Sequence, residues 1–288
     1  MRAWLRLRLF CLVLALAAPA VPPAWAEPSV TRTDPALQKR VKAAIARQPQ
    51  LVQDAIKGLE PHRPGIRDLY FLGFGGYGDQ DVFRKEVERV REQFDRDFGT
   101  RGRSLVLINS PGTLDRYPLA TLKNLKAVLT ALGKQIDRDE DILFLFMTSH
   151  GVPRSGLAVR FNGKEMGDIG PRQLAGALAA AGIKNRVVLV SGCFSGQFVP
   201  SLANADSLVM TAAAANRTSF GCTAEAEWTY FGKGYFLEAL PKQKRFISAF
   251  YDAQNVVAVR EVYDRLTPSE PQISIGARIE EILKELGY

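Results

Sequence analysis

The chain has 288 residues, 47% of them hydrophobic and 24% charged, with a formal net charge of +8. That length supports one large core or two small ones. The basic excess does not mark a nucleic-acid surface, because bases and acids are interleaved, as in Arg84-Lys85-Glu86-Val87-Glu88-Arg89, which reads as a solvated helix face.

Residues 1–26 read as an export signal. Arg2, Arg6 and Arg8 make a basic start, Leu9 to Ala18 is apolar, and Ala24-Trp25-Ala26 has the small-x-small form of a cleavage site before Glu27. The apolar run is too short to span a bilayer comfortably. Removal of three arginines leaves a charge of +5. No later segment approaches a spanning helix, so no stable membrane insertion is expected after cleavage. A periplasmic or secreted location is expected.

Residues 27–64 read as an N-terminal helical extension and residues 65–288 as the main domain. Asp34 to Gly58 has helical periodicity, with Leu37, Val41, Ile45, Leu51, Ala55 and Ile56 on one face and Pro49 interrupting it. Pro61 to Pro64 break the chain. Asp68 to Gly75 predicts a strand. Asp79 to Phe98 predicts a helix with Asp79 as N-cap. Leu105 to Ile108 predicts a second strand, Pro118 to Leu132 a helix, and Ile142 to Met147 a third strand. Asn162-Gly163, between short runs, signals a hairpin over Leu157 to Met166. Gly170 to Ala181 reads as helix. Val187 to Val190 and Ser207 to Thr211 read as strands. Gly232 to Leu240, Phe246 to Leu266 and Ile279 to Leu286 read as helices. Strands without polar alternation are buried on both faces, and helices between them supply the cover. The pattern predicts a three-layer α/β/α sandwich with a mainly parallel central sheet.

Sites in such sheets form at the carboxyl ends of strands. The third strand ends in Thr148-Ser149-His150-Gly151, and the fourth in Ser191-Gly192-Cys193-Phe194-Ser195-Gly196. If those strands are neighbours, an imidazole and a thiol emerge together as a nucleophile–base pair. Gly151 and Gly192 let backbone N–H groups approach an oxyanion. On spacing alone the alternative is a packed cysteine beside a surface histidine. An exported protein also admits a Cys193–Cys222 disulfide. Gly73-Phe-Gly-Gly-Tyr-Gly78 fits a dinucleotide fingerprint, but the second strand ends in Ile108-Asn109-Ser110 without the ribose-binding acid. His62, between Pro61 and Pro64, reads as a loop residue. No cluster of ligands at zinc spacing is present.

The segments Leu143 to Gly151 and Val187 to Gly196, with Thr211 to Cys222 and Thr229 to Gly232, together resemble the legumain-like C13 peptidases of the caspase-type clan, in an exported, bacterial-type form. The resemblance spans roughly Asp68 to Leu240. It implies a caspase-like fold, a peptide or protein substrate, and no metal or organic cofactor. It also implies that His150 is the base, that Cys193 is the nucleophile of a thioester mechanism, and that the N–H groups of Gly151 and Cys193 form the oxyanion hole. Members that cut after asparagine carry an arginine, a glutamate and an acid where this chain has Gly78, Ser191 and Lys233, so asparagine specificity is not implied. Ser219, Phe220, Trp228 and Tyr230 are the remaining cleft candidates, with Cys222 as a thiol in the pocket wall. Transpeptidation shares the thioester. A non-enzymatic interaction protein on the same scaffold is the reading from a different class.

Overall fold

A computed structural model of the chain describes residues 35–288; the export segment lies outside the described residues. The elements, in chain order, are α1 (Pro35–Lys57), β1 (Leu69–Gly75), α2 (Val82–Asp97), β2 (Ser104–Ile108), α3 (Leu122–Gln135) and β3 (Ile142–Thr148). Four two-residue strands follow: β4 (Gly151–Val152), β5 (Gly156–Leu157), β6 (Arg160–Phe161) and β7 (Lys164–Glu165). Then come α4 (Pro171–Ala181), β8 (Arg186–Ser191), α5 (Val199–Leu202), β9 (Ser207–Thr211), α6 (Tyr230–Gly232), α7 (Leu240–Gln243), α8 (Phe246–Tyr263), β10 (Gln272–Ile275) and α9 (Ala277–Leu286).

Six strands form one sheet in the order β10-β9-β8-β3-β1-β2. Only β10 runs antiparallel to its neighbour. Alternate residues of each strand enter different cores, which is why the strands are apolar throughout. Tyr70, Leu72, Leu143, Leu145, Val188 and Val190 pack under α1, α3 and α4. Phe71, Phe144, Phe146, Val187, Leu189 and Met210 pack under α2, α8 and α9. The expected three-layer α/β/α sandwich is therefore the observed one. Among the described residues, no helix is long and apolar enough to cross a membrane.

Several expectations need correction. The α1 helix runs through Pro49 without a break. Val41, Ala44, Leu51 and Val52 on both sides of Pro49 are buried, and the Gln48 side chain ties the helix to Leu119 N at 2.7 Å and Asn124 Nδ2 at 2.8 Å. Tertiary anchoring of both halves outweighs the lost backbone bond. Asp79 is not an N-cap; α2 starts three residues later. Its carboxylate instead forms an ion pair with Arg160 at 2.9 Å and accepts from Gly163 N at 3.2 Å, which holds the hairpin down. The α3 helix starts at Leu122 rather than Pro118, because the Thr121 hydroxyl caps Asn124 N. β10 has no counterpart among the expected strands. It is a short, half-exposed edge strand, without the apolar run that marks a central one. The predicted hairpin turns at Asn162-Gly163, with φ of 52° and 72°, as a tight two-residue turn requires.

Candidate active site

β3 and β8 are adjacent and parallel, with Thr148 paired to Ser191. His150 and Cys193 each lie two residues beyond that pair, at one sheet edge. Ser149 N donates to Ser191 O at 3.1 Å and carries the pairing one step further. The next step is closer still. A Cβ built on Gly151 would lie 1.6 Å from Cys193 O and 2.9 Å from Cys193 N; one on Gly192 would lie 2.7 Å from Ser149 O. These two glycines let the His150 and Cys193 backbones pack directly on each other.

Each side chain is then fixed by its own surroundings. The His150 backbone is held by Ala158 N, which donates to His150 O at 2.8 Å. Its ring meets Tyr77 and Phe83 edge-on, with centroids at 4.5 and 5.3 Å. His150 Nε2 donates to Gln80 Oε1 at 2.6 Å. A carbonyl oxygen only accepts, so that bond places the proton on Nε2 and leaves Nδ1 as the basic nitrogen. The glycines of the 73–78 run serve this arrangement. Cβ atoms at Gly76 and Gly78 would lie 2.8 Å from Ala158 O and 2.7 Å from Asn109 O, so bare backbone alone lets the loop carry Tyr77 and Gln80 to the imidazole.

Cys193 is half-buried, and its Sγ accepts from Ser219 N at 3.3 Å. The chain turns sharply after it. Phe194 sits in the left-handed region at φ 56°, its N–H bound to Arg217 O at 2.7 Å, and a 3-10 turn over Ser195–Phe198 leads into α5. Such a turn presents the preceding side chain outward from the sheet. Cys222 is a second free thiol. Burial, with a smaller contribution from neighbouring Cys193, pushes its pKa up to about 11. It is a neutral thiol at ordinary pH.

The other sequence candidates divide. Ser191 is buried, its hydroxyl 3.4 Å from Thr229 Oγ1. Phe220 O accepts from Tyr230 N at 3.0 Å, so the Ser219–Phe220 segment beside Cys193 is tied to Tyr230. The Tyr230 hydroxyl donates to Asp264, with the Arg260 guanidinium over its ring. Trp228 lies under Arg89 on the flank of α2. Lys233 Nζ lies 3.9 Å from Glu238, a carboxylate that also binds Arg260 at 2.9 Å. Gly78 is buried against Asn109 and Phe161. His62 lies at the opposite end of the strands. Its Nδ1 is 3.1 Å from Asp141 Oδ2, and every carboxylate oxygen of Asp68 and Asp141 already accepts from a protein donor.

Two residues of the site were missed from sequence. One is Gln80. The other is Glu86, fully buried although it lies in the run that reads as a solvated face. It accepts from Thr229 N and Thr229 Oγ1, both at 2.7 Å, and from Thr148 Oγ1 at 2.8 Å. Burial is the largest influence and raises its pKa above the ordinary carboxylate value. The flanking Lys85 and Arg89 do turn outward, both onto Glu227. A helical-wheel reading would have found Glu86 on the stripe of Val82, Phe83, Val87, Val90 and Phe94.

Residues 119–279 match the model described as the Peptidase C13 family. No curated protein sequence matches the chain. Among solved structures, caspase-1 from Spodoptera frugiperda aligns with a TM-score of 0.48 at 12% identity, over 75% of this chain and 93% of that chain. Gln80 and Glu86 both precede the matched residues.

Proposed function

The chain belongs to the peptidase C13 family, a cysteine-peptidase family, and from that premise we propose that it hydrolyses peptide bonds with Cys193 as nucleophile and His150 as base. The observation that carries this reading is the contact of the Gly151 and Cys193 backbones at the shared end of β3 and β8. The Cys193 thiol proton passes to His150 Nδ1, and the sulfur attacks the scissile carbonyl carbon. The N–H groups of Gly151 and Cys193 donate to the oxyanion that forms. As the C–N bond breaks, the imidazolium gives its proton to the departing amine. Water, deprotonated by His150, then attacks the thioester and releases the acid and the free thiol. The same proposal places the mature enzyme outside the cytoplasm, on the signal-like residues 1–26.

The two thiols make an internal test. Iodoacetamide near pH 7, followed by peptide mass spectrometry, should modify Cys193 at least about a hundredfold faster than Cys222, because a thiol with a pKa near 11 has almost no thiolate there. Equal, slow labelling of both, or a Cys193–Cys222 disulfide in the native protein, would count against the enzyme and for a non-catalytic scaffold.

Gln80 is a positioning residue in this reading. It fixes the tautomer and steadies the charged ring through one hydrogen bond. Such a bond contributes about 1.5 kcal/mol, so Gln80→Ala is expected to lower kcat roughly tenfold while leaving KM nearly unchanged. Steady-state kinetics separates the two; a change confined to KM would remove the assignment.

A further inference from the structure

His150 also lines a second space, whose walls include none of Cys193, Ser219 and Cys222. It is an open cleft of about 640 Å³ whose walls are Tyr77, Val152, Ala158, Glu165, Gly167 and Asp168. The loop after β1 forms one wall, and the stretch from β4 to β7 forms the other. The position of the cleft assigns its role once His150 is taken as the acid for the leaving amine, so that role rests on the proposed function. The acyl half of a substrate stays with Cys193, on the side of Ser219 and Cys222. The amine half departs past the imidazole that protonates it, and the cleft is where that half must lie.

The lining decides what the cleft accepts. Tyr77, Val152 and Ala158 supply apolar surface next to the ring. The charged side chains in the wall are both carboxylates. Glu165 is well exposed, so solvent screens its charge, and it already lies 3.4 Å from Arg160, which also pairs with Asp79 at 2.9 Å. Asp168 is half-buried and accepts from the Ser155 hydroxyl. Among the described residues, no ion pair neutralises it. A long side chain with an aliphatic stem and a cationic end matches this surface. The stem covers Tyr77 and Val152, and the cation reaches Asp168.

We propose that this cleft is the leaving-group subsite and that it selects lysine or arginine in the first two positions after the scissile bond, with Asp168 as its main recognition group. A half-buried carboxylate facing one cation is worth about a tenfold preference, since tenfold corresponds to about 1.4 kcal/mol. The test fixes the acyl half of any cleaved peptide and varies the two following positions among Lys, Arg, Ala, Leu and Glu. The readout is the ratio of kcat/KM values within one protein preparation, which does not depend on the fraction of active enzyme. The Lys/Ala and Arg/Ala ratios are expected near ten, with Glu poorest. Asp168→Asn should bring the Lys/Ala ratio to within about twofold of one, and Glu165→Gln should lower it much less. Ratios near one in the native protein overturn the proposal, as does an Asp168→Asn variant that keeps the native ratio. A protein that cleaves no peptide and acquires no acyl adduct on Cys193 removes the peptidase reading itself, and this inference with it. Cleavage without preference removes only the subsite.

Discussion

Cys193→Ala is expected to lower kcat/KM on a cleaved peptide by about 10⁴ to 10⁶, and His150→Ala by nearly as much. The double variant should be no slower than the worse single one. Nucleophile and base act as one unit: without His150 the thiol keeps its proton, and without Cys193 the imidazole has nothing to activate. Both side chains are half-buried at the sheet edge, outside the two cores, so neither truncation should unfold the protein. Steady-state kinetics on the three variants, with thermal melts alongside, checks this. Losses that multiply in the double variant would mean that the two residues act separately.

Glu86→Ala should have the largest effect on stability, about 3 kcal/mol. The substitution removes the acceptor of three buried donors: Thr229 N and Thr148 Oγ1 lose the acceptor they bind, while Thr229 Oγ1 retains Ser191 Oγ at 3.4 Å. Unpaired buried donors cost about 1–3 kcal/mol each, partly offset because the carboxylate itself no longer has to be desolvated. In a chain of this length that loss lowers Tm by roughly 6–12 °C. Activity should fall as well, since Glu86 joins Thr148, two residues before His150, to the Thr229 segment that meets Ser191, two residues before Cys193. Glu86→Gln keeps one acceptor and most of the shape, so it should be milder.

The pH dependence separates these two variants further. Glu86 is an acid whose pKa is raised by folding, so the folded state holds its proton more tightly than the unfolded chain does. Its contribution is fully favourable below the unfolded value near 4.5 and is lost as pH rises through the folded value. The Glu86 contribution should therefore decline upward from about pH 4.5, so the stability of the native protein relative to Glu86→Gln, which does not titrate, should fall with rising pH. Denaturant melts between pH 4 and 8 measure both slopes. Parallel slopes would show that Glu86 is ionised at no cost.

Much of this could be read directly from the chain. β1, β3 and β8 are continuous apolar runs, and only a two-faced burial accounts for them. His150 and Cys193 follow two such runs, each beside a glycine, so their meeting needed only that β3 and β8 be neighbours. Gln80 and Glu86 were not legible in the same way. A polar residue in a run of charges looks solvated whether it faces water or the core, because local sequence records side-chain type and not the direction in which a helix presents it. Glu86 is buried because the packing of α2 on β1 and β3 turns the stripe through Val82 and Val87 inward. The 73–78 glycines fit a nucleotide fingerprint whose ribose-binding acid the sequence already lacks; what they pack against, Ala158 O and Asn109 O, comes from distant segments and only the tertiary structure gives it.

The architecture and the placement of His150 and Cys193, the proposed pair, were written locally in the chain. Hydrophobic periodicity and strand-end chemistry belong to single segments, and they survive whatever the rest of the chain does. The surroundings of that pair came from tertiary packing alone: the Gln80 bond that sets the imidazole tautomer, the buried Glu86 beneath the strand ends, the 1.6 Å constraint at Gly151, and the acid-lined cleft beyond His150. Each joins segments far apart in the chain. Their contacts depend on strand order and helix rotation, which no single segment encodes.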